Sequence, residues 1–230
     1  MTTVFIISAP SGSGKSTLVN EVRKIIPSVD FSVSYTTRKP RGPEQDRREY
    51  CFVPRAEFDV MIRREEFLEY ADVFGNYYGT PKRALEEAER SEHDLLLDID
   101  VKGAELVKQK IPEAVRIFVL PPNRQELEKR LRLRSQDAEE VIQRRLDTAT
   151  REIEKYSKYD YILVNDHLDD SVASLQAILL VERMKHSGSQ QSTVDADTIA
   201  RAERCLLENV GDRLPPILAS FAAATAPGGR

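Results

Sequence analysis

The residues most suited to chemistry lie near the N-terminus, in the sequence APSGSGKS at positions 9–16. Gly12 and Gly14 allow the backbone to bend so that successive N–H groups converge on an anion. Lys15 supplies a positive charge at this turn, and the Ser16 hydroxyl can bind Mg²⁺. Apart from alanine at the first position, the spacing is that of a phosphate-binding loop and predicts a nucleoside triphosphate site. The alternative is a Gly/Ser turn before an ordinary helix.

Two arginines further along the chain are candidates for binding a second anion. Arg38 and Arg41 lie three residues apart, behind a stretch rich in serine and threonine. A guanidinium group can bind a phosphate through two hydrogen bonds, and the hydroxyls of Tyr50 and Tyr78 can donate to the same anion. The alternative is a solvated basic loop in which the tyrosines only pack.

Two carboxylates end a buried apolar run. Asp98 and Asp100 follow three leucines, and side chains two apart on a strand face the same way. Open α/β sheets bind ligands at the carboxyl ends of their strands. Asp98 can therefore support Mg²⁺, directly or through its water shell. A surface cap is the alternative, and the wholly apolar run before this pair weakens it.

These candidates need an α/β framework to bring them together. Apolar runs predict buried strands at 4–8, 95–99, 117–120 and 161–164. Helical patterns predict helices at 16–26, 101–109, 124–133, 137–156 and 168–184. Strands that alternate with helices imply a parallel sheet covered by helices on both faces.

Two stretches of the chain interrupt this alternation. Residues 31–80 are aromatic and rich in turns, with short extended runs at 50–53 and 68–74, and predict an inserted, partly β subdomain. After His186 the sequence SGSQQST is typical of a linker. Residues 197–209 are compatible with one more helix, and the end AAATAPGGR is predicted to be disordered.

Composition excludes several classes of protein. The net charge of −4 argues against wholesale nucleic-acid binding. The N-terminal apolar stretch is too short for a membrane span, and no basic segment precedes it as in a signal peptide. Cys51 and Cys205 have no metal-ligand or redox spacing and are interpreted as reduced thiols. We therefore expect a cytoplasmic protein with no nucleic-acid or membrane partner.

Four sequence strings occur in a distinctive order and spacing: APSGSGKST, SVSYTTRKPR, FGNYYGT and LLLDID. With them the chain resembles guanylate kinases of the bacterial type from about residue 4 to residue 183. The resemblance implies a P-loop nucleoside monophosphate kinase fold, with a parallel sheet flanked by helices. The expected kinase core is 1–31 and 83–186, including a helical lid at 124–156, and the GMP-binding subdomain is 32–82. No counterpart in the family is identified for 187–230.

The resemblance implies a role for each candidate residue. ATP is expected to contact the loop and one residue near the adenine: Ala9, Pro10, Ser11, Gly12, Ser13, Gly14, Lys15, Ser16, Thr17 and Asn165. GMP is expected to contact Ser34, Arg38, Arg41, Tyr50, Glu69, Tyr78, Thr80, Asp98 and Asp100. Catalysis is expected to depend on Lys15, Arg38, Arg130, Arg134 and Arg145. Mg²⁺ is the expected cofactor, held with ATP at Ser16 and, directly or through water, at Asp98.

The chemistry of guanine agrees with these assignments. Guanine presents N1–H and its 2-amino group side by side, and a carboxylate such as Glu69 accepts from both, whereas adenine has no hydrogen on N1. The hydroxyls of Ser34 and Thr80 can donate to guanine O6. A polar site left unpaired against the wrong base discriminates strongly, because its buried groups lose their partners.

The expected lid contains arginines on two successive helices. Arg130 and Arg134 are four apart and share a helix face, and Arg145 belongs to the next helix. Mobile arginines supply the charge neutralisation that phosphoryl transfer needs. The alternative is an ordinary charged helix with Glu–Arg pairs, and we prefer that alternative for Arg132 and Arg144.

The expected activity is direct in-line transfer of the γ-phosphoryl group of ATP to GMP, and to dGMP, without a covalent intermediate. The alternatives are a non-catalytic interaction module of the same fold and a kinase for another monophosphate. The chain departs from the family at Leu133 and Ser135, which replace glycines beside the lid arginine, and at Lys102, where glutamine is usual. The sequence does not decide between a monomer and a homo-oligomer.

Overall fold

The computed structural model describes residues 2–26, 28–42, 44–73, 75–134, 138–187 and 194–222, with the backbone alone for Arg134 and Ser187. It divides into two compact units. The first comprises Met1–Ile6 and Pro27–Ala114, and the second comprises Ile7–Ile26 and Val115–Arg230. Among the described residues, no helix is both long enough and apolar enough to cross a membrane.

Strands and helices alternate along most of the described chain. The strands are β1 (Val4–Ser8), β2 (Val29–Phe31), β3 (Tyr35–Thr36), β4 (Cys51–Phe52), β5 (Phe67–Val73), β6 (Asn76–Pro81), β7 (Asp94–Asp98), β8 (Val115–Leu120) and β9 (Tyr161–Val164). The helices are α1 (Lys15–Ile25), α2 (Arg55–Arg63), α3 (Lys82–Ser91), α4 (Val101–Lys110), α5 (Arg124–Arg134), α6 (Glu139–Ile153), α7 (Leu168–Ser187), α8 (Ala196–Glu203) and α9 (Leu214–Ala222).

The main sheet follows the predicted α/β pattern. In the first unit the strand order is β2-β7-β1, with β2 and β7 parallel; in the second unit the order is β1-β8-β9, with β8 and β9 parallel. All five residues of β1 are buried, as expected for a strand covered on both faces. The predicted strands at 4–8 and 161–164 have the observed bounds, and those at 95–99 and 117–120 begin one and two residues earlier than expected.

The inserted stretch forms a second sheet of order β4-β3-β6-β5 in the first unit. Helix α2 packs its Phe58 side chain between Phe67 and Tyr77, with ring centroids 4.4 Å and 5.5 Å away. The extended runs predicted at 50–53 and 68–74 correspond to β4 and β5, whereas α2 and α3 were not predicted. Helix α2 has only nine residues, and its buried face consists of Phe58 and Met61, which is too little periodicity to indicate a helix.

The C-terminal segment differs from expectation. A helix begins at Ala196, where Asp195 caps it by accepting from the Thr198 backbone N–H at 2.8 Å, but it ends at Glu203 rather than continuing to 209. Helix α9 was not predicted, because two prolines lie at its start. Proline is tolerated in a first helical turn, whose N–H groups have no intrahelical acceptor. Residues 188–193 and 223–230, expected to be linker and tail, lie outside the described residues.

Candidate active site

The candidate phosphate loop lies in the second unit, between β1 and α1. Gly12 and Gly14 have φ angles of +94° and +88°, the left-handed region that favours glycine. Gly14 is the N-cap of α1, and the first turn of this helix contains no acidic residue. The loop therefore ends at a helix N-terminus whose N–H groups and dipole suit an anion.

Both glycines are also required by their close neighbours. A Cβ at position 12 would lie 2.9 Å from Leu131 Cδ2 and 3.0 Å from Leu127 Cδ1, and a Cβ at Gly14 would overlap the Asn165 amide. The Asn165 side chain is 5% exposed and donates from Nδ2 to the Ser13 carbonyl at 2.7 Å. Asn165 was expected near the adenine, and within this unit its side chain also holds the loop.

The remaining predicted loop residues surround this turn. Lys15 and Thr17 lie with Ser16 in the first turn of α1, and Ala9, Pro10 and Ser11 lead into the loop from β1. The Ser13 backbone N–H donates to the Pro10 carbonyl at 3.1 Å, which closes the bend. The loop thus has the backbone shape that the sequence spacing predicts.

One predicted lid arginine lies against the loop within the same unit. Arg130, on α5, donates from Nη1 and Nη2 to the Asn165 carbonyl at 3.2 Å each, and its Nε donates to Glu126 at 3.0 Å. Arg132, for which ion pairs were preferred, indeed pairs with Glu128 and Glu139 at 2.7 Å and 2.6 Å. Arg130 therefore lies beside the loop, and its predicted role toward a nucleotide stays a prediction.

The other lid residues are less completely described. Arg145 lies on α6 and is partly buried, and Leu133 is 79% exposed at the end of α5. Arg134 ends α5, and its side chain lies outside the described residues, as does Ser135. Their predicted roles in the lid stay predictions.

The predicted acceptor-phosphate residues converge in the first unit. The Arg38 side chain is 8% exposed and donates from Nε to the Tyr78 hydroxyl at 3.0 Å. The Tyr50 ring lies 5.4 Å from the Arg38 guanidinium carbon and 5.7 Å from the Tyr78 ring. One arginine and two tyrosines thus form a single cationic, hydroxyl-bearing cluster.

Sequence reasoning missed one member of this cluster, Glu44. Its carboxylate accepts from Arg38 Nη1 and Nη2 at 2.9 Å and 3.0 Å, and from the Arg41 backbone N–H at 2.7 Å. Arg38 Nη1 also donates to the Lys39 carbonyl at 2.8 Å. The signal in the sequence was an acidic residue six positions after Arg38, which Asp46 and Glu49 in the same loop made no more distinctive. Arg41 itself is exposed, and its backbone rather than its guanidinium group makes this contact.

A second cluster in the first unit is built around Glu69. Glu69 on β5 pairs with Thr80 on β6, and the Thr80 hydroxyl donates to Glu69 Oε1 at 2.6 Å. Burial, reinforced by the negative charge of Asp100, raises the pKa of Glu69 to about 7, although the Thr80 hydrogen bond opposes this rise. A carboxyl group in this position is poised between its neutral and ionised forms near neutral pH.

Asp100 and Gly103 complete the Glu69 cluster. Asp100 is the N-cap of α4 and accepts from the Gly103 backbone N–H at 2.8 Å. A Cβ at position 103 would lie 2.9 Å from Glu69 Oε2 and 3.3 Å from Asp100 Oδ1. The absence of a side chain at Gly103, which the sequence analysis did not use, therefore makes room for both carboxylates.

Ser34 and Asp98, also predicted to contact the acceptor, lie at or next to the ends of strands in the same unit. Ser34 is 7% exposed just before β3, and its carbonyl accepts from the Cys51 backbone N–H at 2.9 Å. Asp98 is half-buried at the end of β7, two residues before Asp100. The side chains of Glu69, Thr80 and Asp100 are thus brought together, whereas Arg38, Tyr50 and Tyr78 form a separate cluster in which Glu44 pairs with Arg38.

The available metal ligands are oxygen atoms. The Ser16 side chain is exposed in the first turn of α1, and Asp98 is only half-buried. Among the described residues no group of three or more His, Cys, Asp or Glu side chains could hold a metal ion by itself. Mg²⁺ typically binds through one or two protein oxygens together with substrate phosphates and water. Ser16 and Asp98 each offer an oxygen ligand of the kind that Mg²⁺ prefers.

Comparisons with known proteins agree on one family. The sequence model described as guanylate kinase matches residues 1–182. The chain is 54% identical over 228 residues to guanylate kinase of Koribacter versatilis, covering 98% of both chains. It is 47% identical over 191 residues to guanylate kinase of Escherichia coli K12, covering 82% of this chain and 92% of that one. The segment after residue 186, for which the sequence alone identified no counterpart in the family, is covered by the alignment with the Koribacter relative.

A solved structure supports the fold. The crystal structure of guanylate kinase from Anaplasma phagocytophilum matches with a TM-score of 0.67 and 32% identity, covering 80% of this chain and 87% of that chain. The expected P-loop nucleoside monophosphate kinase fold is thereby confirmed. Extended similarity in sequence, together with this shared fold, leads to one conclusion: the chain belongs to the guanylate kinase family.

Proposed function

We propose that this protein transfers the γ-phosphoryl group of ATP to GMP, giving ADP and GDP. The observation that carries the proposal is the buried Glu69–Thr80 pair beside Asp100. Gly103 next to this pair has no side chain, which leaves room for the two carboxylates. Apolar side chains would pack at these two positions equally well, so the polar groups of the pair suggest a role in binding. The Glu69 carboxylate can accept from two adjacent N–H donors, and guanine presents such a pair at N1 and its 2-amino group.

The acceptor phosphate would bind at the Arg38 cluster. Arg38 is held rigidly by Glu44 and Tyr78, so its guanidinium group is oriented before the substrate arrives. The hydroxyls of Tyr50 and Tyr78 are available as further donors to a phosphate oxygen. We propose that dGMP is accepted as well, because the residues assigned to the acceptor are assigned to its base and its phosphate, and none is assigned to the 2′-hydroxyl.

The donor would bind at the phosphate loop. Backbone N–H groups of residues 11–15 and Lys15 would hold its phosphates, and Arg130, Arg134 and Arg145 would neutralise charge on the transferred group. The Ser16 hydroxyl would hold Mg²⁺ together with the nucleotide, and the metal would supply neutralisation of the phosphate charges. The part of Asp98 in holding it stays a prediction. The GMP phosphate oxygen is itself a nucleophile, so the transfer is in line and requires no covalent intermediate and no general base. We place this reaction in the cytoplasm, where the two free cysteines, Cys51 and Cys205, stay reduced.

The test measures ADP release from ATP and Mg²⁺ with GMP, dGMP, AMP, CMP or UMP as the acceptor. We expect turnover with GMP and dGMP only. In the Glu69→Gln variant, kcat/KM for GMP should fall by about 10²-fold or more, because the site loses the carboxylate that accepts from both guanine donors.

Glu87→Gln is the matched control, since this residue is exposed on α3. It should retain wild-type turnover. Turnover with another monophosphate would contradict the assignment of the acceptor. A folded protein that turns over none of them would contradict the enzyme and favour a binding module of the same fold.

A further inference from the structure

The C-terminal segment 194–222 lies beyond the residues that the family's sequence model matches. It belongs to the second unit, as do the phosphate loop and the helices α5 and α6. Within this unit it contacts the edge of the sheet together with α7, and it also contacts the helices α5 and α6.

The first anchor covers the edge of β9. The Ile162 backbone N–H donates to the Cys205 carbonyl at 2.7 Å, and the Leu207 N–H donates to the Asp160 carbonyl at 3.0 Å. Helix α8 packs along α7 beside this pairing. Since β9 is the last strand in the order β1-β8-β9, these bonds satisfy groups that an edge strand would otherwise expose. This anchor is made to the sheet and to α7, and does not involve α5.

The second anchor is α9, which contacts both α5 and α6. Its residues Leu214, Ile217 and Phe221 are 7%, 5% and 2% exposed. Their spacing of three and four residues places them on one face of the helix. Helix α9 is therefore seated through an apolar face, and the helices it contacts are those of the expected lid.

A hydrogen bond ties α9 to the beginning of α5. The Ser220 hydroxyl oxygen accepts from the Arg124 backbone N–H at 3.1 Å, and Arg124 is the first residue of α5. Asn123 Oδ1 accepts from the Glu126 N–H at 2.8 Å. The first N–H groups of a helix have no acceptor inside the helix, and a side chain that satisfies them fixes the helix end. The tail thus supplies part of the N-terminal cap of α5.

The middle of α5 lies on the phosphate loop. A Cβ added at Gly12 would lie nearest to the side chains of Leu131 and Leu127. Arg130, between them, donates to the Asn165 carbonyl, and Asn165 in turn holds Ser13. A continuous series of contacts therefore runs from α9 through α5 to the loop.

We propose that the C-terminal segment is a brace that positions α5 on the phosphate loop and thereby strengthens ATP binding. Ser220 and Phe221 are positioning residues that act through Leu127, Arg130 and Leu131. The inference rests on the proposed function, because it assigns ATP to this loop. It predicts that the two anchors of the segment have different effects when each is weakened.

The experiment compares Ser220→Ala and Phe221→Ala with Leu206→Ala in the full-length chain. Leu206 forms the bridge to Tyr161 at the β9 anchor and serves as the matched control. For each variant we would measure the melting temperature, amide hydrogen exchange in the first turn of α5, the Kd of a fluorescent ATP analogue, and the KM values for ATP and GMP. Ser220→Ala removes one hydroxyl and keeps the test valid if Phe221→Ala does not fold.

The two α9 variants should speed exchange at Arg124 and raise both the Kd of the analogue and the KM for ATP by about threefold to tenfold, because α5 is less well positioned. Their KM for GMP should stay unchanged. Leu206→Ala should lower the melting temperature without weakening ATP binding.

The proposal is overturned if the α9 variants lower the melting temperature as Leu206→Ala does while the Kd of the ATP analogue stays within about twofold of the wild type. The segment would then only stabilise the fold. If the wild type binds the analogue but transfers nothing to GMP, the proposed function fails, and the analogue Kd and the exchange data still decide whether α9 braces α5.

Discussion

At Glu69, burial and the proposed recognition of guanine make opposite demands on one carboxyl group. The side chain is 5% exposed, and burial raises its pKa to about 7. Guanine needs the ionised form, because only a carboxylate accepts from both N1–H and the 2-amino group. The ligand-free protein therefore holds this group close to its titration midpoint under ordinary assay conditions, and GMP selects the ionised fraction.

This titration predicts that the affinity for GMP depends on pH. Lowering the pH from 8 to 6 should raise the KM for GMP about tenfold, because the ionised fraction of Glu69 falls by about that factor. The measurement is the initial rate against GMP concentration at saturating ATP, at half-unit pH intervals.

Glu69→Gln separates this effect from the titration of GMP itself, whose phosphate has a second pKa near 6. The variant should show a high KM with little change between pH 8 and pH 6. If the variant and the wild type show the same pH dependence, the titrating group is on the substrate and not at Glu69.

Arg38 presents a different solution to the burial of charge. Its guanidinium group donates to Tyr78, Lys39 and Glu44, so it remains paired in the absence of substrate. A buried cation without a partner would be strongly destabilising. The Glu44 carboxylate meets the guanidinium fork through two parallel hydrogen bonds, as a phosphate would. The pairing thus keeps the cluster assembled before a phosphate binds.

At the scale of the elements, the phosphate loop depends on glycine for two separate reasons. Gly14→Ala should be compared with Gly75→Ala, because both glycines have positive φ angles, +88° and +78°. Only at Gly14 would the new Cβ meet a neighbour, the Asn165 amide, whereas Gly75 faces open space. Backbone strain should cost each variant about 1 kcal/mol of stability, and Gly14→Ala should lose more because its Cβ also displaces Asn165.

Only Gly14→Ala should also weaken ATP binding, by about tenfold or more, since displacement of Asn165 releases its hold on the loop. Urea unfolding measures the first effect, and titration with a fluorescent ATP analogue measures the second. Equal loss of ATP affinity in both variants would show that strain alone, and not the contact with Asn165, controls the loop.

The sequence predicted those elements whose signal is local. The strands at 4–8 and 161–164 are continuous apolar runs, and the glycine spacing of the loop reports directly on its backbone. Helix α9 was missed because two prolines lie at its start, and proline breaks a helix at any position after the first turn. The helix packs on α5 and α6, and this tertiary contact could not be read from the sequence. The role of Glu44 was missed because its pairing with Arg38 depends on how the loop folds. No regular spacing in the sequence indicates that these two side chains meet.

At the scale of the whole molecule, the buried acceptor site lowers global stability near neutral pH. The pKa of Glu69 is about 7 in the folded protein, against an ordinary value of 4.5, so the folded state retains this proton to higher pH than the unfolded chain. The associated stability is fully present below about pH 4.5 and is lost as the pH rises through 7. A shift of this size corresponds to about 3 kcal/mol of unfolding free energy.

Glu69→Gln should therefore make the ligand-free protein more stable at pH 8, by about 2 to 3 kcal/mol, because glutamine keeps the shape and an acceptor for Thr80 without a charge. At pH 5 the advantage should shrink below about 1 kcal/mol. Urea unfolding at both pH values measures the difference, with Glu87→Gln on the exposed face of α3 expected to change neither value. If the variant is less stable than the wild type at pH 8, Glu69 is ionised and well solvated by its partners in the folded state.

Saturating GMP should make the wild type the more stable of the two proteins, since GMP binds the wild type far more tightly than the variant and stabilises the state it binds. A gain in stability without substrate and a loss with it would then identify the burial of this carboxylate as the cost of selecting guanine.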